Sequence, residues 1–173
     1  AIRDYRTPVE YGTAPLGADL RRIAALVGAR FPGRVYYASL GGFDTHAGQA
    51  GARSPLSSAL GGALCAFHRD LQRLGRGGDV ATLVFSEFGR AVEENASLGT
   101  DHGAAAPVLV LGGAIRPGLY GRHPSLTALD RDGGLEMTTD FRRVYATLIE
   151  EWLGAPDARA ILGGRFDPLA IFA

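Results

Sequence analysis

The chain has no lysine: all 18 of its cationic side chains other than histidine are arginine. Wherever a cation meets an oxyanion here, it is therefore a forked guanidinium and not a compact ammonium. Net charge is missing too, because 18 acidic residues balance the arginines. A zero balance offers no electrostatic footprint for nucleic acid or an anionic membrane, so neither is expected as a partner. Cysteine is nearly absent. The single Cys65 has no internal disulfide partner and, within an apolar helical run, reads as a small buried hydrophobe. No apolar run approaches the roughly 18 residues that would suggest a membrane span, and no signal peptide is visible. The sole methionine is Met137 and the first residue is Ala1, which predicts that a preceding segment has been removed.

What is present suits a globular fold. A length of 173 residues predicts one domain, large enough to bury a sizeable core without a disulfide or metal staple. Residues 1–15 read as an irregular lead-in. Leu20, Ile23, Val27 and Phe31 recur at helical spacing, predicting a helix from Leu16 to Phe31 that Pro32-Gly33 stops. Arg34 to Leu40 is β-branched and aromatic and predicts a strand. Ser54-Pro55 reads as the opening of a second helix, with Leu56, Leu60, Leu64, Phe67, Leu71 and Leu74 inward and Gly75 to Gly78 as its end. Val80 to Phe85 and Pro107 to Leu111 are short continuous apolar runs, the pattern of strands covered on both faces. A last helix starts at Thr139 or Asp140 and runs through Val144, Leu148 and Trp152. Alternating helices and short buried strands predict an α/β fold over residues 1–173, a mainly parallel sheet sandwiched by helices.

Ligands of such sheets bind outside the carboxyl ends of the strands, and three polar clusters fall near there. In Gly-Gly-Phe-Asp44-Thr-His46, residues two apart point the same way along an extended segment. A carboxylate and an imidazole on one side suit Zn²⁺ or another first-row divalent ion; the same residues also fit a turn cap and an exposed histidine. In Ser-Glu87-Phe-Gly-Arg90, a carboxylate at the sheet rim must be solvated, paired or metal-bound. Arg90 fits an ion pair with Glu87 or a bidentate grip on a substrate oxyanion, with Asn95 orienting the loop. In Gly-Thr-Asp101-His102-Gly, adjacent side chains diverge, so Asp101 is either a ligand on a bent loop or the group that orients a ligand His102. His68 lies at helical spacing beside Leu64 and Leu71, and His123 reads as a loop residue.

These motifs also carry a resemblance. Gly-Gly-Phe-Asp-Thr-His-Ala-Gly-Gln49, Ser-Glu-Phe-Gly-Arg90, Gly-Thr-Asp-His-Gly103 and Thr-Asp-Phe-Arg142 resemble, in order and spacing, the bacterial domain-of-unknown-function family 1501, from roughly Leu16 onward. That family looks like a distant branch of the alkaline phosphatase and sulfatase superfamily. The resemblance implies the C-terminal part of an alkaline-phosphatase-like fold holding one or two divalent metals, Zn or Mn, at the strand ends. It implies Asp44 and His46 as metal ligands and His102 as the late histidine ligand. Glu87 and Asp101 compete for the place of the superfamily's Asp-His pair. Arg90 and Asn95 then serve a small anionic ester substrate, a phosphate or sulfate ester. Nothing here matches the region bearing the nucleophile, which implies an N-terminal half or a separate chain to complete the site, and a periplasmic or exported home. The alternative is a non-catalytic binding or scaffold protein that retains the fold.

Overall fold

In a computed structural model describing residues 4–172, helix α1 spans Pro15–Gly28 and α2 spans Gln49–Arg73. Both belong to the first of two compact units, Ala1–Val80 with Asn95–Gly99; the second comprises Ala81–Glu94 with Thr100–Ala173. Proline at the start of α1 has the backbone angle a helix requires and lacks only an N–H that would be unpaired there. Leu16, Leu20, Ala24 and Val27 form its buried stripe and meet Ala63, Ala66, Phe67 and Leu71 of α2, with Tyr11 closing the core. Both helices end in the same device. Arg30 and Gly75 each take a left-handed conformation, and the next amides bond back across the last turn, Phe31 to Leu26 and Arg76 to Leu71. That turn ends α1 early and leaves Phe31, expected on the inward stripe, 54% exposed. Helix α2 begins before Ser54-Pro55, at Gln49, so Pro55 lies inside it. Cys65 is exposed, not buried: two residues before Phe67, it sits about 200° around the helix from that core side chain.

The lead-in is tied to α2 by one carboxylate. Asp70 is completely buried and accepts from the Tyr5, Thr7 and Tyr11 hydroxyls at 2.7, 2.8 and 2.9 Å and from Arg73 Nε at 2.9 Å. Burial works against its ionisation, yet these donors outweigh burial and hold the carboxyl below its ordinary range. Burial, reinforced by the bond to Asp70, pushes the Tyr11 phenol the other way, well above its ordinary value.

Residues 34–40 show a strand's alternation without a strand's partner. Tyr36, Ala38 and Leu40 pack on the helical core, while Val35 and Tyr37 are 74% and 79% exposed. No ladder pairs them with any other described residue.

In the second unit β1, Thr82–Val84, pairs antiparallel with β4, Leu109–Leu111. Strand β2, Gly89–Arg90, pairs antiparallel with β3, His102–Gly103. Asp140 caps α3, Phe141–Thr147, by accepting from the Arg142 amide at 2.9 Å. The chain then widens into a π-helical turn, Leu148–Trp152, closed by the Leu153 amide on the Leu148 carbonyl. Thr147, fully buried, links this region by donating to the Arg143 carbonyl and accepting from the Leu169 amide, each at 2.7 Å. A short helix α4, Arg159–Leu162, follows.

This architecture overturns the expected mainly parallel sheet sandwiched by helices. Among the described residues the sheets are two-stranded and antiparallel. The physical reason lies in what an apolar run encodes: burial on both faces, and not the direction of the neighbouring strand. The runs at 80–85 and 107–111 do form strands, but they pair with each other head to tail. Both strands stay partly exposed, so the covering expected on both faces is absent as well. No helix among the described residues is long and apolar enough to cross a membrane.

Candidate functional site

The first unit positions Asp44 and His46 on a loop held by another loop. The Gly48 and Gln49 amides donate to the Ser97 and Leu98 carbonyls at 3.0 and 2.9 Å. Asn95 organises the partner loop: its side-chain oxygen accepts from the Ser97 and Gly99 amides at 3.0 and 3.1 Å, and its amide nitrogen donates to the His46 carbonyl at 3.2 Å. Gly99 lies so close that a Cβ there would collide with the His46 carbonyl. On this scaffold His46 Nε2 stands 3.0 Å from Asp44 Oδ1, with both side chains about half exposed or more.

That separation fits a hydrogen bond, and it also fits two ligands of one ion. Atoms bound at about 2.1 Å lie about 3.0 Å apart at a right angle and about 3.4 Å apart at the tetrahedral angle. One carboxylate oxygen and one imidazole nitrogen suit Zn²⁺ or Mn²⁺ in ligand type. The residues present therefore fit two places of a divalent metal's shell.

In the second unit the β2–β3 ribbon sets the remaining candidates. Arg90 lies directly across from His102, so both side chains rise from one face of the ribbon. Phe88, two residues before Arg90, shares that face by strand alternation. Its ring stacks on the His102 imidazole with centroids 3.8 Å apart and planes 12° from parallel, and the Arg90 guanidinium carbon stands 5.1 Å from its centroid. Arg90 turns its Nη1 to the Thr100 carbonyl at 2.7 Å. Gly89 is buried where a Cβ would collide with the Ala105 carbonyl, which locks the ribbon against the following segment. Glu87 and Asp101 are exposed. Alternation places Asp101 on the face opposite His102, in keeping with the divergence of adjacent side chains.

Thus Asp44, His46 and Asn95 come together in one unit, and Arg90 joins His102 in the other. His123 is an exposed loop residue whose Nδ1 contacts the Pro124 carbonyl. His68 is half-buried against Phe67 with no partner for its Nε2, and burial lowers its pKa. Two participants were not singled out from the sequence. Asp70 carried a signal, a carboxylate on the inward stripe between Phe67 and Leu71. Phe88 carried only its place two residues before Arg90.

A two-unit chain with an exposed carboxylate–imidazole pair and a ribbon whose phenylalanine ring carries an imidazole and a guanidinium is defined as a class by its polar motifs. Residues 19–154, which include all four of them, match the family described as protein of unknown function (DUF1501), and the chain belongs to that family. No curated protein and no solved structure matches it.

Proposed function

We propose that this chain is a metal-dependent hydrolase-like domain acting on phosphate or sulfate esters, from a family distantly akin to alkaline phosphatases and sulfatases. The observation that carries the reading is the Asp44–His46 pair, exposed on a cross-braced loop at a separation that suits two ligands of one ion. Glu87, Asp101 and His102 are the further candidate ligands. A bound divalent ion would polarise the ester oxygen and lower the pKa of a nucleophile that another polypeptide segment supplies. Asp44 and His46 would hold it, each oriented by the Asn95-braced loop. Arg90, with its planar fork, would take an oxyanion of the ester in a bidentate grip.

The test is bound metal per chain, measured by mass spectrometry on protein purified without chelators or a histidine tag. Near-stoichiometric Zn or Mn, lost in His46→Ala, is the expected result. The same assay on His102→Ala reports whether that imidazole also serves an ion. Protein that stays metal-free after soaking in Zn²⁺ and Mn²⁺ would remove the metal reading and leave a binding or scaffold role.

A further inference from the structure

We propose that Phe88 is a positioning residue of this site, holding the His102 imidazole and the Arg90 guanidinium as one ordered unit. The inference rests on the metal-ester reading above for its purpose, and on the β2–β3 ribbon alone for its geometry. The rings of Phe88 and His102 lie 3.8 Å apart and 12° from parallel, which leaves the imidazole little freedom to rotate away. The guanidinium of Arg90 sits 5.1 Å from the centroid of the same ring, and the Thr100 carbonyl ties its Nη1. Both polar groups thus pack on one aromatic face, and the Thr100 carbonyl holds the guanidinium as well. A ligand histidine is ordinarily oriented through a hydrogen bond from its second nitrogen; here an aromatic face performs part of that orientation. Phe88 is half-buried, His102 exposed, so the stack presents the imidazole outward. The strand register allows the arrangement: Arg90 faces His102, and Phe88 is the diagonal neighbour within reach of an aromatic side chain.

The experiment compares Phe88→Leu and Phe88→Tyr in the full chain, with two readouts. The first is the NMR shift of the His102 ring protons in metal-free protein, which a stacked aromatic ring displaces upfield. Phe88→Leu should return these protons to the position of an unstacked histidine, and Phe88→Tyr should leave them displaced. The second is Zn²⁺ affinity, expected to fall about 10–100-fold in Phe88→Leu and to recover in Phe88→Tyr. Unchanged His102 shifts in a folded Phe88→Leu would overturn the proposal, as would equal losses of affinity in the two variants. If Phe88→Leu does not fold, proton–proton contacts between the Phe88 and His102 rings in the unsubstituted chain decide, and their absence counts against it. Failure of the unsubstituted chain to bind Zn²⁺ counts against the metal reading, and the ring shifts then judge Phe88 by themselves.

Discussion

In the first unit a carboxylate is hidden and in the second its counterparts are displayed. Asp70 has no exposed surface and four hydrogen-bond donors converge on it, whereas Glu87 and Asp101 face solvent at the ends of short strands. The units also differ in how they are built. The first is organised by an apolar helix pair whose interior Asp70 ties to the lead-in. The second is organised by short ribbons, caps and close backbone approaches, and contributes few buried hydrophobic residues. A carboxylate whose acceptor sites are all met inside a core serves stability.

The comparison breaks most readily at the helix pair. Leu71→Ala removes a fully buried side chain and should cost about 2–5 kcal/mol in chemical denaturation. A loss below about 1 kcal/mol would mean that the first unit does not depend on its core. Asp70→Asn should come next, at about 2–4 kcal/mol, because it replaces a charged acceptor of several hydrogen bonds. Its pH dependence gives the sharper reading. With a folded pKa below its ordinary 3.8, Asp70 contributes stability that is fully present above that value and lost as pH falls through the lowered one. Asp70→Asn should therefore flatten the acid limb of a stability–pH curve, and an unaltered limb would show that the carboxylate does not hold the lead-in.

Smaller effects separate the two loop systems. Gly99→Ala and Gly89→Ala each force a methyl group into a carbonyl and should destabilise by about 1–3 kcal/mol. In heteronuclear NMR, the first should perturb His46, whose carbonyl the new methyl meets, and the second the β2–β3 ribbon that carries Gly89. An unperturbed His46 in Gly99→Ala would show that the close approach of that glycine does not hold its loop. Smallest is the cap: Asp140→Ala should cost about 1 kcal/mol and fray α3, seen as faster amide exchange at Arg142 and Arg143.

Much of the local structure was legible. The inward spacing of Leu20, Ile23 and Val27, a cap at Thr139 or Asp140 and the apolar runs at 80–85 and 107–111 all depend on neighbours close in sequence. The left-handed end of α1 was not legible, because Arg30 is an unusual residue for a conformation that glycine usually takes. The pairing of Asp44 with His46 was legible from their two-residue spacing. The role of Asn95 as the brace of two loops was only half visible, since its bond to His46 bridges 49 positions of sequence.

By itself the sequence determined which segments could be helix or extended, that its cations other than histidine are all arginine, and which polar motifs it shares with its family. Those properties follow from side-chain shape, periodicity and composition, which act over a few residues. Tertiary structure alone decided that β1 pairs antiparallel with β4, that residues 34–40 carry no partner strand among the described residues, and that Phe88 stacks on His102. Strand direction and ring stacking are choices between partners distant in the chain. Their free energies depend on which surfaces meet, and a hydrophobic pattern is the same for each alternative.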